Sequence, residues 1–436
     1  MDGSRLAAGA YFPLRIQITM NNLTDLVAAY RTYQSQTSLE NALNLMRKLR
    51  SCRKVEDAIE LALKWSDKAD TLLQRTQLGI DMNYLGMFSQ ASPLLEEALP
   101  QWPVYPHDYY LIASEVMLTR YCLGNYQDAH PLFRKLRSAE WCEVWSRLSS
   151  PNGDNAWFLP YMDRVLEGQP VAGKRIMIAL EGGAGDLLQF LRHAESLQRE
   201  GAAAIYCQAP HYLHGLFNNS SLPITLVDNL QVDFDYITWP FSLHAIYQES
   251  PYFPSAQEGY LRLSDQYRLP EILQQQLTGE RGKDRRRIGL TWRSESGARH
   301  EPFRSTELST LVPLLEHGAA EFFSLQVGTL SEEERGLLER HGVTDLGAHL
   351  QSFEDTAHVL KQLDLLITVD SSPAHLAGAC NIPVWVMLAQ ACDHRWYVGQ
   401  RYTPWYASMR LYRQAALGDW RPVIDDMLAS LATQQD

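Results

Sequence analysis

Asp370 and His375 are two ionisable residues just beyond residues 365–369, which form a continuous apolar and β-branched run. Such a run predicts a parallel strand that is covered on both faces. The next residues, Ser372-Pro373, are typical of a helix start, so we predict a helix from Ala374. Its free backbone N–H groups would point into the crevice beyond the strand, where α/β proteins bind anions. The stretch therefore predicts an anion site, although strand–turn–helix units without a ligand show the same pattern.

A carboxylate also ends a glycine-rich turn in the segment Glu181-Gly182-Gly183-Ala184-Gly185-Asp186. Residues 175–180 predict a strand before this turn, and residues 187–200 predict a helix after it. The glycines would let a substrate approach the backbone closely, and Asp186 could act as a general base. Because no Lys-Ser/Thr pair follows, the turn is not a Walker loop, and it also lacks the full dinucleotide fingerprint.

Arginines follow a third predicted strand end. Residues 287–292 predict a strand, and the polar and cationic residues 294–304 come after it. Arg293 and Arg304 offer planar cationic donors that suit phosphate oxygens. A loop of this length in a compact domain is more often functional than idle, so we predict phosphate contacts here, with a solvated loop as the alternative.

Aromatic residues and arginines are dense near the end of the chain, in residues 393–397 and 408–414. Because arginine stacks over aromatic rings, this composition could form a lid over a sugar or a base. Packing between two domains would need the same residue types. Both interpretations of this tail stay open.

The elements that must position these residues fall into a helical region followed by two α/β halves. Beyond the helical region, predicted strands alternate with predicted helices, and the alternation restarts at residue 287. A cleft between two such halves is a usual place for a nucleotide-type ligand. The predicted segments are a candidate extension (1–20), helical repeats (21–140), a connector (141–173), a first Rossmann-like half (174–270), a linker (271–286) and a second Rossmann-like half (287–436).

The helical region contains an internal repeat. Leu85–Leu95 matches Leu123–Phe133 at an offset of 38 residues (123 minus 85), and Val55–Leu61 is a fainter copy. The small residues Ala91 and Ala129 would let two helices approach closely. These units resemble tetratricopeptide repeats, which stack to form a concave surface for a partner. A helical subdomain that supports the next domain is the alternative.

Composition narrows the function classes. The 436 residues are 45% hydrophobic and 21% charged and carry a formal net charge of −12, which argues against a general nucleic-acid binder. No apolar run is long enough for a transmembrane helix. Six scattered cysteines without a CxxC pair indicate a reducing cytoplasm. The cluster of Cys380, Cys392 and His394 fits no zinc spacing, so we predict no metal.

Several motifs together resemble the heptosyltransferase-like glycosyltransferases of family 9, in the form fused behind tetratricopeptide repeats. The resemblance covers roughly residues 170 to 430. It implies an α/β fold of two Rossmann-like domains (GT-B) with an all-α N-terminal part, and a metal-independent enzyme that uses a nucleotide-diphosphate sugar as co-substrate without a cofactor. The motifs are Glu181–Phe190, Ile288–Trp292, Phe323–Gln326, Val369–Leu376, Asp393–Trp396 and Pro404–Leu411.

The resemblance also implies roles for single residues. Asp186 maps onto the base that activates the acceptor hydroxyl, and Asp370 maps onto the position that contacts the donor sugar. The turn from Ser371 to His375 would hold the diphosphate, with help from Arg304. The other residues predicted by resemblance are Arg293, Gln326 and Ser372 for donor binding, and Gly183, Gly185 and Gln189 for the acceptor side or its loop.

The predicted activity is transfer of a hexose or heptose to a protein or glycan acceptor that the helical repeats recognise. One alternative is an interaction scaffold in which the glycosyltransferase-like part is degenerate. Another is a different reaction on the same fold, such as sugar-nucleotide epimerisation. The intact Asp186, Asp370 and His375 favour an enzyme over the scaffold.

Overall fold

The computed structural model describes residues 20–101, 106–142, 144, 154–248, 259–278, 285–294, 301–318, 320–397 and 399–433. The candidate N-terminal extension lies outside these residues except for Met20. Within the described residues, no helix combines the length and the apolar character needed to cross a bilayer.

The predicted all-helical N-terminal part is confirmed. Two of its helices begin with side-chain caps, since the Ser38 side chain accepts from the Asn41 N–H, and Thr71 and Gln74 form a capping box. The helices are α1 (Met20–Ser35), α2 (Leu39–Ser51), α3 (Val55–Trp65), α4 (Leu72–Tyr84), α5 (Phe88–Ala98), α6 (Pro106–Cys122) and α7 (Tyr126–Leu136).

Consecutive helices of this region lie against each other, α2 with α3, α4 with α5, and α6 with α7. The small residues of the repeat, Ala91 and Ala129, are fully buried. Gly79 of α4 lets α5 approach closely, because a Cβ at this position would lie 2.8 Å from Leu95 Cγ. Gly86, in the turn between α4 and α5, has a φ of +74°, a conformation that favours glycine. The sequence repeat therefore corresponds to a repeated helix pair.

The first α/β half is built on a parallel sheet. Among the described residues the strand order is β3-β2-β1-β4, so the order reverses direction at β1. Ligands of such sheets bind beyond the carboxyl ends of the strands at this reversal. The strands are β1 (Arg175–Ile178), β2 (Ala204–Cys207), β3 (Thr225–Leu226) and β4 (Tyr236–Thr238), and the helices are α8 (Ala184–Phe190), α9 (Ala194–Arg199), α10 (His211–Asn218) and α11 (Pro240–Tyr247).

The second half contains a larger sheet, ordered β10-β11-β9-β8-β5-β6-β7 in the described part of the chain. Only the β10–β11 pair is antiparallel within that part. From β5 onward the parallel strands follow the 3-2-1-4-5-6 order of Rossmann sheets, which reverses between β5 and β8. The strands are β5 (Arg286–Thr291), β6 (Ala320–Ser324), β7 (Thr344–Asp345), β8 (Leu365–Val369), β9 (Val384–Leu388), β10 (Tyr402–Thr403) and β11 (Tyr406–Arg413).

The helices of the second half confirm the mixed α/β class, with one helix in an unexpected place. They are α12 (Glu271–Leu277), α13 (Glu301–Arg304), α14 (Val312–Leu315), α15 (Glu332–Arg340), α16 (Phe353–Leu360), α17 (Ser372–Ala379) and α18 (Arg421–Thr433). Helix α12 occupies the start of the predicted linker, and its Leu273 and Leu277 are buried. This segment is therefore packed against the protein.

Three local predictions differ from the structure. Helix α17 begins at Ser372 instead of Ala374, because the preceding Ser371 keeps an extended backbone and serves as the N-cap. The helix predicted over 187–200 is interrupted by a 3₁₀ turn at Leu191–His193. Residues 408–414 lie mostly in β11, which pairs with β9 inside the sheet. The sequence analysis had predicted either a lid or domain packing for these residues. Arginines interrupt the apolar pattern of β11 and conceal the strand in the sequence.

The helical region packs on both α/β halves. The guanidinium of Arg137, just after α7, lies 2.8 Å from the Glu181 carboxylate at the start of the glycine-rich turn, and both side chains are largely buried. On the other half, the ring of Tyr126 meets Tyr397 edge-on at 4.7 Å. The helices therefore form part of the wall that supports the two halves.

Candidate functional site

Residues that directly follow β1, β5, β6 and β8 line a single cleft of about 830 Å³. These are carboxyl ends of strands in both sheets, so the two reversal points share this cleft. Of the residues predicted from sequence, ten line it: Gly183, Gly185, Asp186, Arg293, Arg304, Gln326, Asp370, Ser371, Ser372 and His375.

Asp186 lies in the first turn of α8, on the side of the first half. Its Oδ2 accepts a hydrogen bond from the Gly183 N–H at 2.8 Å, and its Oδ1 lies 2.8 Å from Arg395 Nη2. Gly182 has a φ of +72°, and a Cβ there would lie 2.5 Å from Asp186 Oδ2. The glycine-rich turn therefore leaves room for this carboxylate.

Arg395 connects the two halves across the cleft, and the sequence analysis did not select it. Besides Asp186, it contacts Asp393 Oδ1 through Nε at 2.9 Å and donates from Nη1 to Gln189 Oε1 at 2.9 Å. Burial lowers the pKa of the guanidinium, but Asp393 and Asp186 outweigh burial and raise it, so Arg395 stays cationic. Arg395 belongs to residues 393–397, a segment that the sequence analysis interpreted either as a lid or as packing between two domains.

Gln189 is the predicted site residue that the structure does not bring to the cleft. Its side chain is fully buried, and its amide oxygen accepts the hydrogen bond from Arg395. The resemblance had assigned Gln189 to the acceptor side or its loop. One helical turn beyond Asp186, however, the side chain faces the protein interior and positions Arg395.

The start of α17 forms the opposite wall of the cleft. The Ser371 hydroxyl lies 2.9 Å from Thr368 Oγ1 and so turns toward β8. The first backbone N–H groups of a helix have no intrahelical acceptor and carry partial positive charge. The backbone of Ser372 and the next residues therefore suits an anion better than the Ser371 hydroxyl does.

His375 lies on α17 with 2% of its surface exposed. Its Nδ1 lies 3.0 Å from the Tyr406 hydroxyl, and its ring stacks on Trp396 at 5.2 Å. Burial and the nearby Arg395 and Arg304 hold the pKa of His375 well below its ordinary value. The imidazole is neutral at pH 7, so positive charge for an anion must come from the arginines and the helix.

Arg304, at the end of α13, reaches the carboxyl end of β8. Its Nε donates to the Asp370 carbonyl oxygen, and its Nη2 lies 3.4 Å from Asp370 Oδ1. The sequence analysis had predicted that Arg304 helps the turn from Ser371 to His375 to hold a diphosphate. The structure brings the arginine and the turn together at the cleft.

Arg293 and Gln326 line the cleft while holding the end of β5 in place. Arg293 Nη1 lies 3.0 Å from Glu334 Oε1. Gln326 Oε1 accepts from the backbone N–H groups of Trp292 and Arg293, at 3.1 and 2.9 Å. These contacts shape the wall that the second half contributes to the cleft. Residues 295–300 of the predicted cationic loop lie outside the described residues.

Two aromatic rings at the cleft were missed by the sequence analysis. Tyr212 comes from α10 in the first half and Phe353 from α16 in the second. Their centroids lie 5.8 Å apart with an interplanar angle of 28°. Neither stands in a motif, because the pair exists only where the two halves meet.

The site combines a carboxylate, arginines and a helix N-terminus in one cleft. Such groups can bind an anion, stabilise charge on a leaving group and accept a proton. Asp186 and Asp393 both contact Arg395, and Asp370 contacts Arg304. Because each carboxylate already faces a cation, these residues fit an organic anion better than a divalent metal.

Comparison with known proteins gives limited sequence similarity. No protein-family model matches the chain. The protein FlbA of Caulobacter vibrioides is 29% identical over 157 residues, which cover 33% of this chain and 25% of FlbA. The matched part thus spans about a quarter of the length of that curated relative.

Three of the solved structures similar to this one are glycosyltransferases. A glycosyl transferase of family 9 from Veillonella parvula is 12% identical with a TM-score of 0.42, over 61% of this chain and 91% of its own. Escherichia coli ADP-heptose lps heptosyltransferase II is 13% identical with a TM-score of 0.39, over 60% and 100%. The iron-containing dodecameric glycosyltransferase TibC of enterotoxigenic E. coli is 13% identical with a TM-score of 0.37, over 58% and 66%.

Proposed function

We propose that this chain is a glycosyltransferase of GT-B architecture that moves a sugar, with heptose a candidate, from a nucleotide-diphosphate donor to a protein or glycan hydroxyl. One observation supports the proposal above all. Asp186 of the first half and Arg395 of the second meet at 2.8 Å, in a cleft between two sheets with Rossmann strand order.

The donor side of the cleft suits a diphosphate leaving group. When the bond between the sugar carbon and the phosphate oxygen breaks, negative charge builds on the diphosphate. Arg304, Arg395 and the first turn of α17 line the cleft and would stabilise that charge. His375 is neutral and would contribute shape and hydrogen bonding instead of charge.

The acceptor side suits a hydroxyl group. Asp186 would take the hydroxyl proton as the acceptor oxygen forms the new bond to the sugar carbon. Each carboxylate oxygen can accept more than one hydrogen bond. Asp186 therefore keeps acceptor capacity beside its contacts to Arg395 and Gly183, and those contacts hold its orientation.

The test is the substitution Asp186→Asn, which keeps the size of the side chain and removes its basicity. We expect transfer to fall about 10³-fold, within the usual range for a lost general base, while nucleotide binding changes little. A panel of nucleoside diphosphates and their sugars, screened by thermal shift, identifies the donor. Release of nucleoside diphosphate from the best donor then gives the rate.

Asp426→Asn is the matched control, because Asp426 is a partly exposed carboxylate paired with Arg401. Its rate should equal that of the unmodified chain. Full turnover by the Asp186→Asn variant would remove Asp186 from the proposed role. Nucleotide-sugar binding without turnover, for the unmodified chain and every acceptor, would instead support the scaffold alternative.

A further inference from the structure

His211, His214 and Asp228 form a cluster of potential metal ligands outside the cleft. One ligand atom from each residue lies within 4.8 Å of the other two. The two histidines stand on one face of α10, since residues three apart in a helix are neighbours. Asp228 comes from the loop just after β3. Two separate elements therefore direct ligands to the same point.

A backbone hydrogen bond fixes the imidazole ring of His214. Its Nε2 lies 2.9 Å from the Ala209 carbonyl oxygen. Because a carbonyl oxygen only accepts, Nε2 carries the proton, and the lone pair of the neutral ring is on Nδ1. Metal-binding histidines commonly donate their other N–H to a backbone carbonyl in this way, which fixes the tautomer and the ring.

We propose that these three residues bind a divalent transition-metal ion of the zinc class. Two imidazoles and one carboxylate are a known ligand set for zinc sites whose fourth position holds water. Imidazole also disfavours the hard cations magnesium and calcium. Ligand atoms on tetrahedral zinc lie about 3.4 Å apart. The three ligand atoms, which lie within 4.8 Å of one another, must therefore approach by up to about 1.4 Å when the ion binds. His211 and Asp228 are exposed, which lets the ion enter from solvent.

The zinc-class site lies beside a residue that lines the cleft. His211 directly precedes Tyr212, whose ring lines the cleft. After the other end of α10, Asn219 Nδ2 donates to Glu354 Oε1 of the second half at 2.9 Å. A bound ion would tie the start of α10 to the loop after β3 and so hold the helix that carries Tyr212.

The experiment titrates the full chain, stripped of metal with EDTA and dialysed, with Zn²⁺ by calorimetry. We expect one Zn²⁺ to bind per protein chain, and Mg²⁺ to give no comparable heat. The variants His211→Ala and Asp228→Asn should bind Zn²⁺ at least about 100-fold more weakly than the unmodified chain. Visible absorption of Co²⁺ in the same site reports its coordination geometry. His341→Ala, at the end of α15, is the matched control and should bind like the unmodified chain.

A second readout does not depend on the heat of binding. Zn²⁺ should raise the thermal midpoint of the unmodified chain and of the His341→Ala control, and leave the two site variants unchanged. Equal Zn²⁺ affinity for the unmodified chain and both site variants would overturn the proposal. No sugar donor is present in either measurement, so the result is independent of the proposed glycosyl transfer.

Discussion

At the scale of single residues, Arg395 holds two carboxylates of the cleft in place. It forms ion pairs with both Asp186 and Asp393, and it donates a hydrogen bond to Gln189. A buried carboxylate without a cation is costly, so this arginine stabilises the fold and sets the charge of the cleft at the same time. The candidate base is therefore held in place by a residue from the other half of the protein.

Arg395→Met should lower the free energy of unfolding by about 3 kcal/mol, because two partly buried carboxylates, 20% and 28% exposed, lose their cation. Urea unfolding followed by circular dichroism measures the change. Arg401→Met is the matched control, since Arg401 pairs with Asp426 at 2.6 Å but is 62% exposed. That pair should contribute less than about 1 kcal/mol. Equal losses in the two variants would contradict the assigned role of Arg395.

At the scale of elements, the cleft depends on the close approach of α8 and α17, one helix from each half. Gly185 makes this approach possible, because a Cβ there would lie 2.9 Å from His375 Cδ2. The site therefore needs two helix starts at contact distance. Gly185 of the glycine-rich turn therefore serves this contact between the two helices.

Gly185→Ala should cost about 1–3 kcal/mol of stability, the usual range for overpacking a tight contact. It should also weaken nucleotide binding, because His375 and the start of α17 must shift. Gly336→Ala is the control, since Gly336 lies inside helix α15 with open space around its Cβ position. That change should be neutral or stabilise by about 1 kcal/mol. Thermal melting of both variants with and without nucleotide tests the pair; unchanged melting of Gly185→Ala would contradict the contact.

At the scale of the whole molecule, four histidines meet where the helical region joins both halves: His130, His193, His244 and His394. His193 stacks over His244 at 6.5 Å, and His130 lies 5.9 Å from the same ring. Burial lowers the pKa of all four. They are neutral in the folded protein near pH 7, and acid must charge them at the junction.

Acid should destabilise the protein through this histidine cluster. Burial, with Arg192 and Arg199, lowers the pKa of His193 from 6.5 to about 3. The unfolded chain binds the proton more tightly, so stability falls as the pH drops below 6.5 and keeps falling toward pH 3. At pH 5 the loss from His193 alone is about 2 kcal/mol.

His193→Phe keeps a ring at this position and removes the proton site. Urea unfolding at pH 7 and pH 5 should show a smaller acid loss for this variant than for the unmodified chain, by about 2 kcal/mol. His341→Phe, a change outside the cluster, should leave the acid loss as it is. The same acid loss in the His193→Phe variant and the unmodified chain would show that His193 does not carry it.

The sequence by itself determined the local features that depend on neighbouring residues. The buried strand 365–369, the glycine-rich turn before Asp186 and the repeated helix pairs all follow from periodicity, capping and turn residues. These signals are local because hydrogen bonding within a helix or turn involves residues a few positions apart. The family resemblance, together with these local signals, predicted ten residues that the structure places around one cleft.

The tertiary structure alone decided which groups meet across the halves. Arg395 and Asp186, Tyr212 and Phe353, and the ligand cluster with Asp228 join residues far apart in the chain. Gln189 turned inward and β11 entered the sheet for the same reason, since burial against a distant element sets the direction of a side chain and the pairing of a strand. Short-range patterns carry no information about such pairs, because their free energy arises from packing and charge compensation between elements that the fold brings together.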